Sequence, residues 1–126
     1  MASSARHEAQ AQHNQRVLST LGKDALDWQI TLMMYISLHG LRAHISRVRP
    51  GYAGNDFRYD SFSRVLEREI TPPEVELSAA FDTLVKLSYR TRYQCPDEAT
   101  LGKMLGLAQR NYLLILERLR LLGIQV

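Results

Sequence analysis

The sequence predicts an all-α fold: one domain, 1–126, built as an up-and-down bundle of four to five helices. Three observations carry that expectation. Apolar residues recur at helical spacing through several long stretches. The 7 glycines and 4 prolines cluster between those stretches. No run alternates apolar and polar side chains for long enough to make a strand. At 126 residues, the chain has material for one core. With 45% apolar and 23% charged residues, wholesale disorder and collagen-like repeats are excluded.

The first helix is expected near Ser3 or Ser4, whose hydroxyls suit a cap, and over about 4–21, where Gly22 ends it. Its apolar content is thin (Ala9, Val17, Leu18, Leu21), so 1–6 are expected to be loosely ordered. Asp24 or Asp27 is placed to cap a second helix that runs to Val48, stopped by Pro50 and Gly51. Trp28, Leu32, Tyr35 and His39 form one stripe on it, and Ile30, Met34, Leu41, Ile45 and Val48 form another. Two stripes mean two buried faces, as in a central bundle helix or a dimer interface.

Residues 49–56 read as a loop, and a short helix is expected over 57–69. Thr71, followed by Pro72 and Pro73, is a start signal for a helix over 74–93, with Val75, Leu77, Phe81, Leu84, Val85 and Leu87 on its core side. In 97–123, Leu101, Leu105, Ala108, Tyr112, Ile115, Leu119 and Leu122 make a seven-residue seam. Leu107, Leu114 and Leu121 form a second row, which favours a homodimer. Gly102 and Gly106 either admit a close neighbour or break the helix between them.

Arg outnumbers Lys by 13 to 3 at a net charge of +3. The guanidinium fork suits phosphate, so nucleic acid is a candidate partner. With Cys95 alone, no internal disulfide can form. Residues 1–16 are polar throughout, unlike a signal peptide, and 28–45 are interrupted by Gln29, Ser37, His39, Arg42 and His44. The expectation is a cytoplasmic protein with no membrane association.

One alternative reads 97–126 as a helix-turn-helix, with the turn at Gly106-Leu107-Ala108, resembling winged-helix DNA-binding proteins. Against it, the would-be recognition helix YLLILERLRLL is apolar on most of its circumference.

A second resemblance covers about 100 residues of the chain. The stretch DWQITLMMYISLHGLRAHI carries an Asp27-Trp28 start, an aromatic Tyr35, the pair Leu38-His39 and the small Ala43. Ahead of it lie His13-Asn14 and Val17-Leu18, and FDTLVKLSYRTRY adds Leu84, Ser88, Arg92 and Tyr93. In this order and spacing they resemble a prokaryotic branch of the HEPN domains, nucleotide-binding helical domains of higher eukaryotes and prokaryotes. The resemblance implies a helical bundle that dimerises and acts in toxin–antitoxin or anti-phage defence systems, often beside a nucleotidyltransferase partner or an antitoxin. It also implies metal-independent ribonuclease activity in many members, through an Arg followed by a His after four to six residues, late in the domain. The histidines here are His7, His13, His39 and His44, so the late signature is not found. Arg6 and His13 have the required spacing, but early in the chain. A His-x-x-Arg pair of the related branch reads Asn55-Asp56-Phe57-Arg58 here.

Metal-free RNA cleavage needs a base for the ribose 2′-hydroxyl and a cation for the charge that builds on phosphorus. His39, Arg92 and Tyr93 are expected to form such a polar pocket where the helices bearing them pack together. The alternative for His39 is a core histidine bonded to Asp27 or to a neighbouring helix. His7 and His44 are expected to be solvated. Arg42, Arg47, Arg49, Arg58 and Arg64, interleaved with Tyr52, Phe57 and Tyr59, suit single-stranded RNA, or else form a solvated loop. The cysteine and histidines do not stand at metal-ligand spacings, and 102–106 lack the ending of a phosphate loop, so neither metal nor cofactor is expected. The functional expectation is a dimeric RNA- or nucleotide-recognising protein of a defence or toxin–antitoxin system, with metal-independent endoribonuclease activity as its candidate chemistry. The alternatives are a non-catalytic dimeric interaction module and the DNA reader above.

Overall fold

A computed structural model describes residues 3–49 and 75–126. Its elements are α1 (Ser4–Leu18), a 3-10 turn (Lys23–Ala25), α2 (Leu26–Val48), α3 (Val75–Tyr93) and α4 (Glu98–Leu121). Among the described residues every regular element is helical, which is the all-α bundle the sequence predicts. The expected loop beyond Arg49, the helix at 57–69 and the Thr71-Pro72-Pro73 start lie outside the described residues.

Helix α1 starts within the stretch expected to be loose. Ser3 Oγ accepts the Arg6 N–H at 3.2 Å, and Ser4 Oγ donates to the Ala43 carbonyl on α2 at 2.8 Å. These two bonds order the first turn. The helix ends at Leu18 rather than Leu21 because the Ser19 and Thr20 hydroxyls take the Arg16 and Val17 carbonyls, each at 2.6 Å. Neither Asp24 nor Asp27 is the N-cap of α2. Ala25 holds that position, and Asp27 accepts the Trp28 N–H inside the first turn at 2.9 Å.

Helix α2 is the central element and packs against α1, α3 and α4. Its stripe Ile30, Met34, Leu41 and Ile45 is buried, whereas Val48 at its end is exposed. The other stripe is half-buried from Leu32 to His39 and opens to solvent at Trp28. A Cβ added at Gly40 would lie 2.5 Å from Leu119 Cδ1 of α4, so the absent side chain leaves the space that the buried Leu119 methyl fills.

On α3 the inner side is Leu77, Ala80, Phe81, Leu84 and Leu87. Its buried Ser88 and Thr91 hydroxyls bond back to the Val85 and Ser88 carbonyls. Cys95 then turns the chain with φ of 46°, the left-handed conformation usual after a helix, and Asp97 caps α4 by accepting the Thr100 N–H at 2.7 Å.

The seam of α4 is buried at Ala108, Tyr112, Ile115 and Leu119, half-buried at Leu101 and Leu105, and exposed at Leu122. Gly102 and Gly106 neither break the helix nor admit a neighbour. The helix is continuous through both, and a Cβ at either would meet nothing within 4 Å. The turn that a helix-turn-helix needs at 106–108 is therefore absent. Leu107 and Leu121 of the second row face solvent, and Leu114 between them is half-buried.

Candidate functional site

Helices α1 and α2 run antiparallel. Ser4 reaches Ala43, and three residues later His7 reaches His39, four residues earlier on α2. Such steps keep both contacts on one helix face. The Nδ1 atoms of His7 and His39 lie 3.0 Å apart, with ring centroids separated by 5.3 Å and planes inclined at 31°.

That contact constrains the protons. One Nδ1 must carry the hydrogen and the other must offer its lone pair. Neutral rings therefore adopt opposite tautomers, and the pair carries one Nε2 lone pair and one Nε2–H. Burial, reinforced by the Arg42 cation, pushes the His7 pKa below its ordinary value. Burial, then His7 and Arg42, push His39 down to about 4. Both rings are uncharged at neutral pH. Beside them opens a cavity of 410 Å³, lined by Arg6, His7, Ala9, Gln10 and His39. Arg6 is exposed at its rim. A neutral base, a hydrogen-bond donor and a cation thus share one concave surface.

This differs from the expected pocket in membership. His39 meets His7 rather than Arg92. Arg92 instead donates through Nε to the Ser88 carbonyl at 3.2 Å, and its guanidinium lies 5.3 Å from the centroid of the exposed Tyr93 ring. His7 and His44, expected to be solvated, are 7% and 8% exposed. Burial, with Arg47 nearby, lowers the His44 pKa. His13 is exposed. It stands two turns along α1 from Arg6, about 10.5 Å by helical rise, and Arg6 shares its cavity with His7 instead.

The expected arginine surface also divides. Arg47 forms an ion pair with the mostly buried Glu8 carboxylate and donates to the Gly123 carbonyl at 2.9 Å. The other Glu8 oxygen accepts the Gln125 N–H at 3.0 Å, and Gln12 donates to the Gln125 carbonyl at 2.8 Å. Arg47 therefore pins the carboxy-terminal segment against α1. Arg42 is half-buried near the histidines, Arg49 is exposed, and Arg58 and Arg64 lie outside the described residues.

Sequence reasoning missed His7 because α1 looked too polar to bury a face. A signal was present: His7, Ala11 and Leu18 lie on one helical stripe, and the structure buries or half-buries all three. Among the described residues no three His, Cys, Asp or Glu side chains gather as a metal site, and no helix is long and apolar enough to cross a membrane. No protein-family model, curated protein or solved structure matches the chain.

Proposed function

We propose that the chain recognises RNA or a nucleotide in a prokaryotic toxin–antitoxin or anti-phage defence setting, and that it cleaves RNA without a metal through the His7–His39 pair. One observation carries this reading: two histidines in Nδ1–Nδ1 contact beside an open cavity rimmed by Arg6. In the proposed reaction one imidazole takes the ribose 2′-hydroxyl proton. The freed oxygen attacks phosphorus, and the bond to the 5′-oxygen breaks. The second imidazole gives its Nε2–H to that leaving oxygen as the shared proton crosses from one Nδ1 to the other, so the pair ends neutral with its tautomers exchanged. Arg6 offsets the charge on the phosphoryl oxygens. The defence setting and a nucleotidyltransferase or antitoxin partner rest on the HEPN resemblance alone.

Leu107 and Leu121 of the second row are exposed on α4, as is Leu113 on an adjoining side of the helix, which favours pairing with a second copy of the chain. The same row supports the rival reading, a dimeric interaction module without catalysis.

Cleavage of a labelled single-stranded RNA in the presence of a chelator separates the two. The reading predicts cleavage by wild type and a loss of about 100-fold or more in His7→Gln and His39→Gln. Absence of cleavage by wild type, with or without a neighbouring gene product, or equal cleavage by both variants, would remove the ribonuclease reading.

A further inference from the structure

The carboxy-terminal turns of α3 expose two tyrosines that the cleavage chemistry does not use. Tyr89 and Tyr93, one helical turn apart, are 53% and 64% exposed. Their ring centroids lie 4.9 Å apart with planes inclined at 47°. Arg92 adds a third contact to Tyr93, with its guanidinium held by Nε to the Ser88 carbonyl and by a second nitrogen to Ser88 Oγ at 3.4 Å. Large aromatic rings held in place in water are pre-formed surfaces, and little side-chain freedom is lost when something stacks on them.

The surrounding charge is of one sign. From Lys86 to Pro96 the sequence KLSYRTRYQCP contains Lys86, Arg90 and Arg92 and no acidic residue. The carboxylates that flank this stretch in sequence are already engaged: Asp82 pairs with Lys86 at 2.8 Å, and Asp97 caps α4. Arg90 is exposed and has no carboxylate partner among the described residues. Among the described side chains of α3, the exposed large apolar ones are these two tyrosines, with no exposed aliphatic neighbour to extend them into a hydrophobic docking face.

We infer that Tyr89, Tyr93, Arg90 and Arg92 form a stacking site for single-stranded nucleic acid, distinct from the His7–His39 cavity. An unpaired base lies on the tyrosine pair, and Arg90 neutralises an adjoining phosphate. Base–aromatic stacking tolerates any base, whereas the arginine term is electrostatic and falls with salt. The inference rests on the RNA-recognising reading and gives it a strand-holding surface outside the cleavage centre.

Fluorescence anisotropy with labelled oligoadenylate and oligouridylate across a salt series tests it. The tyrosines are exposed, so Tyr89→Leu/Tyr93→Leu keeps the fold, as circular dichroism will verify. The expected results are affinity about tenfold or more weaker in that double variant, a log–log salt slope shallower by about 0.7 in Arg90→Gln, and tighter binding of the adenylate strand. If wild type binds and the tyrosine variant binds equally well, the stacking site is wrong while RNA recognition stands. A patch that docks a protein partner gives that same unchanged affinity. If wild type binds neither strand, RNA recognition and the stacking site fall together.

Discussion

His39 of α2 shares a hydrogen bond with His7 of α1 across 3.0 Å, which leaves the pair a single free Nε2 lone pair for a further proton. Both pKa values lie below the ordinary 6.5, and an unfolded chain binds protons more readily at these positions. The associated stability is fully present above pH 6.5 and is lost as pH falls from there toward about 4. Urea midpoints measured across that window should drop, and they should drop less steeply in His7→Gln/His39→Gln. His44, shifted in the same direction, leaves a residual slope. Parallel pH profiles for the two proteins would show that the pair is not held neutral by folding.

Two glycines of the same helical bundle should respond oppositely to the same change. Gly40→Ala places a methyl 2.5 Å from Leu119 Cδ1, and because Leu119 is fully buried its shift must displace core neighbours, at a cost of about 1 kcal/mol or more. Gly106→Ala meets open space in the interior of α4 and should stabilise by about 0.5–1 kcal/mol, because alanine loses less backbone freedom on folding. Chemical denaturation of both variants, with unchanged m-values, checks the signs.

Removing the Glu8 carboxylate leaves Arg47 and the Gln125 N–H without their shared acceptor. Glu8→Ala should therefore lose about 1–3 kcal/mol, with amide exchange at Gln125 accelerating most. The Arg47 side chain is 42% exposed, so solvent screens part of the loss, and Arg47→Ala should cost less than Glu8→Ala.

Self-association through α4 has its own test. Leu113→Glu and Leu121→Glu replace side chains that are 60% and 78% exposed, so the monomer fold should survive them. Sedimentation should find a concentration-dependent dimer for wild type and a monomer for the variants. A monomeric wild type at all accessible concentrations would remove the dimer.

The fold was legible where apolar spacing was long and regular. The buried stripe of α2 and the seam of α4 were both visible in the residues, and the structure buries Ile30, Met34, Leu41, Ile45, Ala108, Tyr112, Ile115 and Leu119. The consequences of single glycines were not legible. Gly40, Gly102 and Gly106 look alike in sequence, yet only Gly40 faces another helix. The site was half legible: His39 stood out on an apolar stripe, but its partner depends on which helix packs there and in what register. Local spacing cannot distinguish α1 from α3 as that neighbour. The arginines misled for a related reason, because the acceptors of Arg47, Glu8 and Gly123, are 39 and 76 residues away in sequence.

The central claim is that His7 and His39 act together as base and acid, and the pH–rate profile of RNA cleavage in chelator tests it most directly. Cleavage requires the neutral pair, because a further proton fills the one free Nε2 lone pair, and both pKa values are depressed. The expected rate is level near neutral pH and falls as pH drops toward about 4, and cleavage is lost in His39→Gln. A rate that climbs toward acidic pH, or a profile unchanged in His39→Gln, would contradict it.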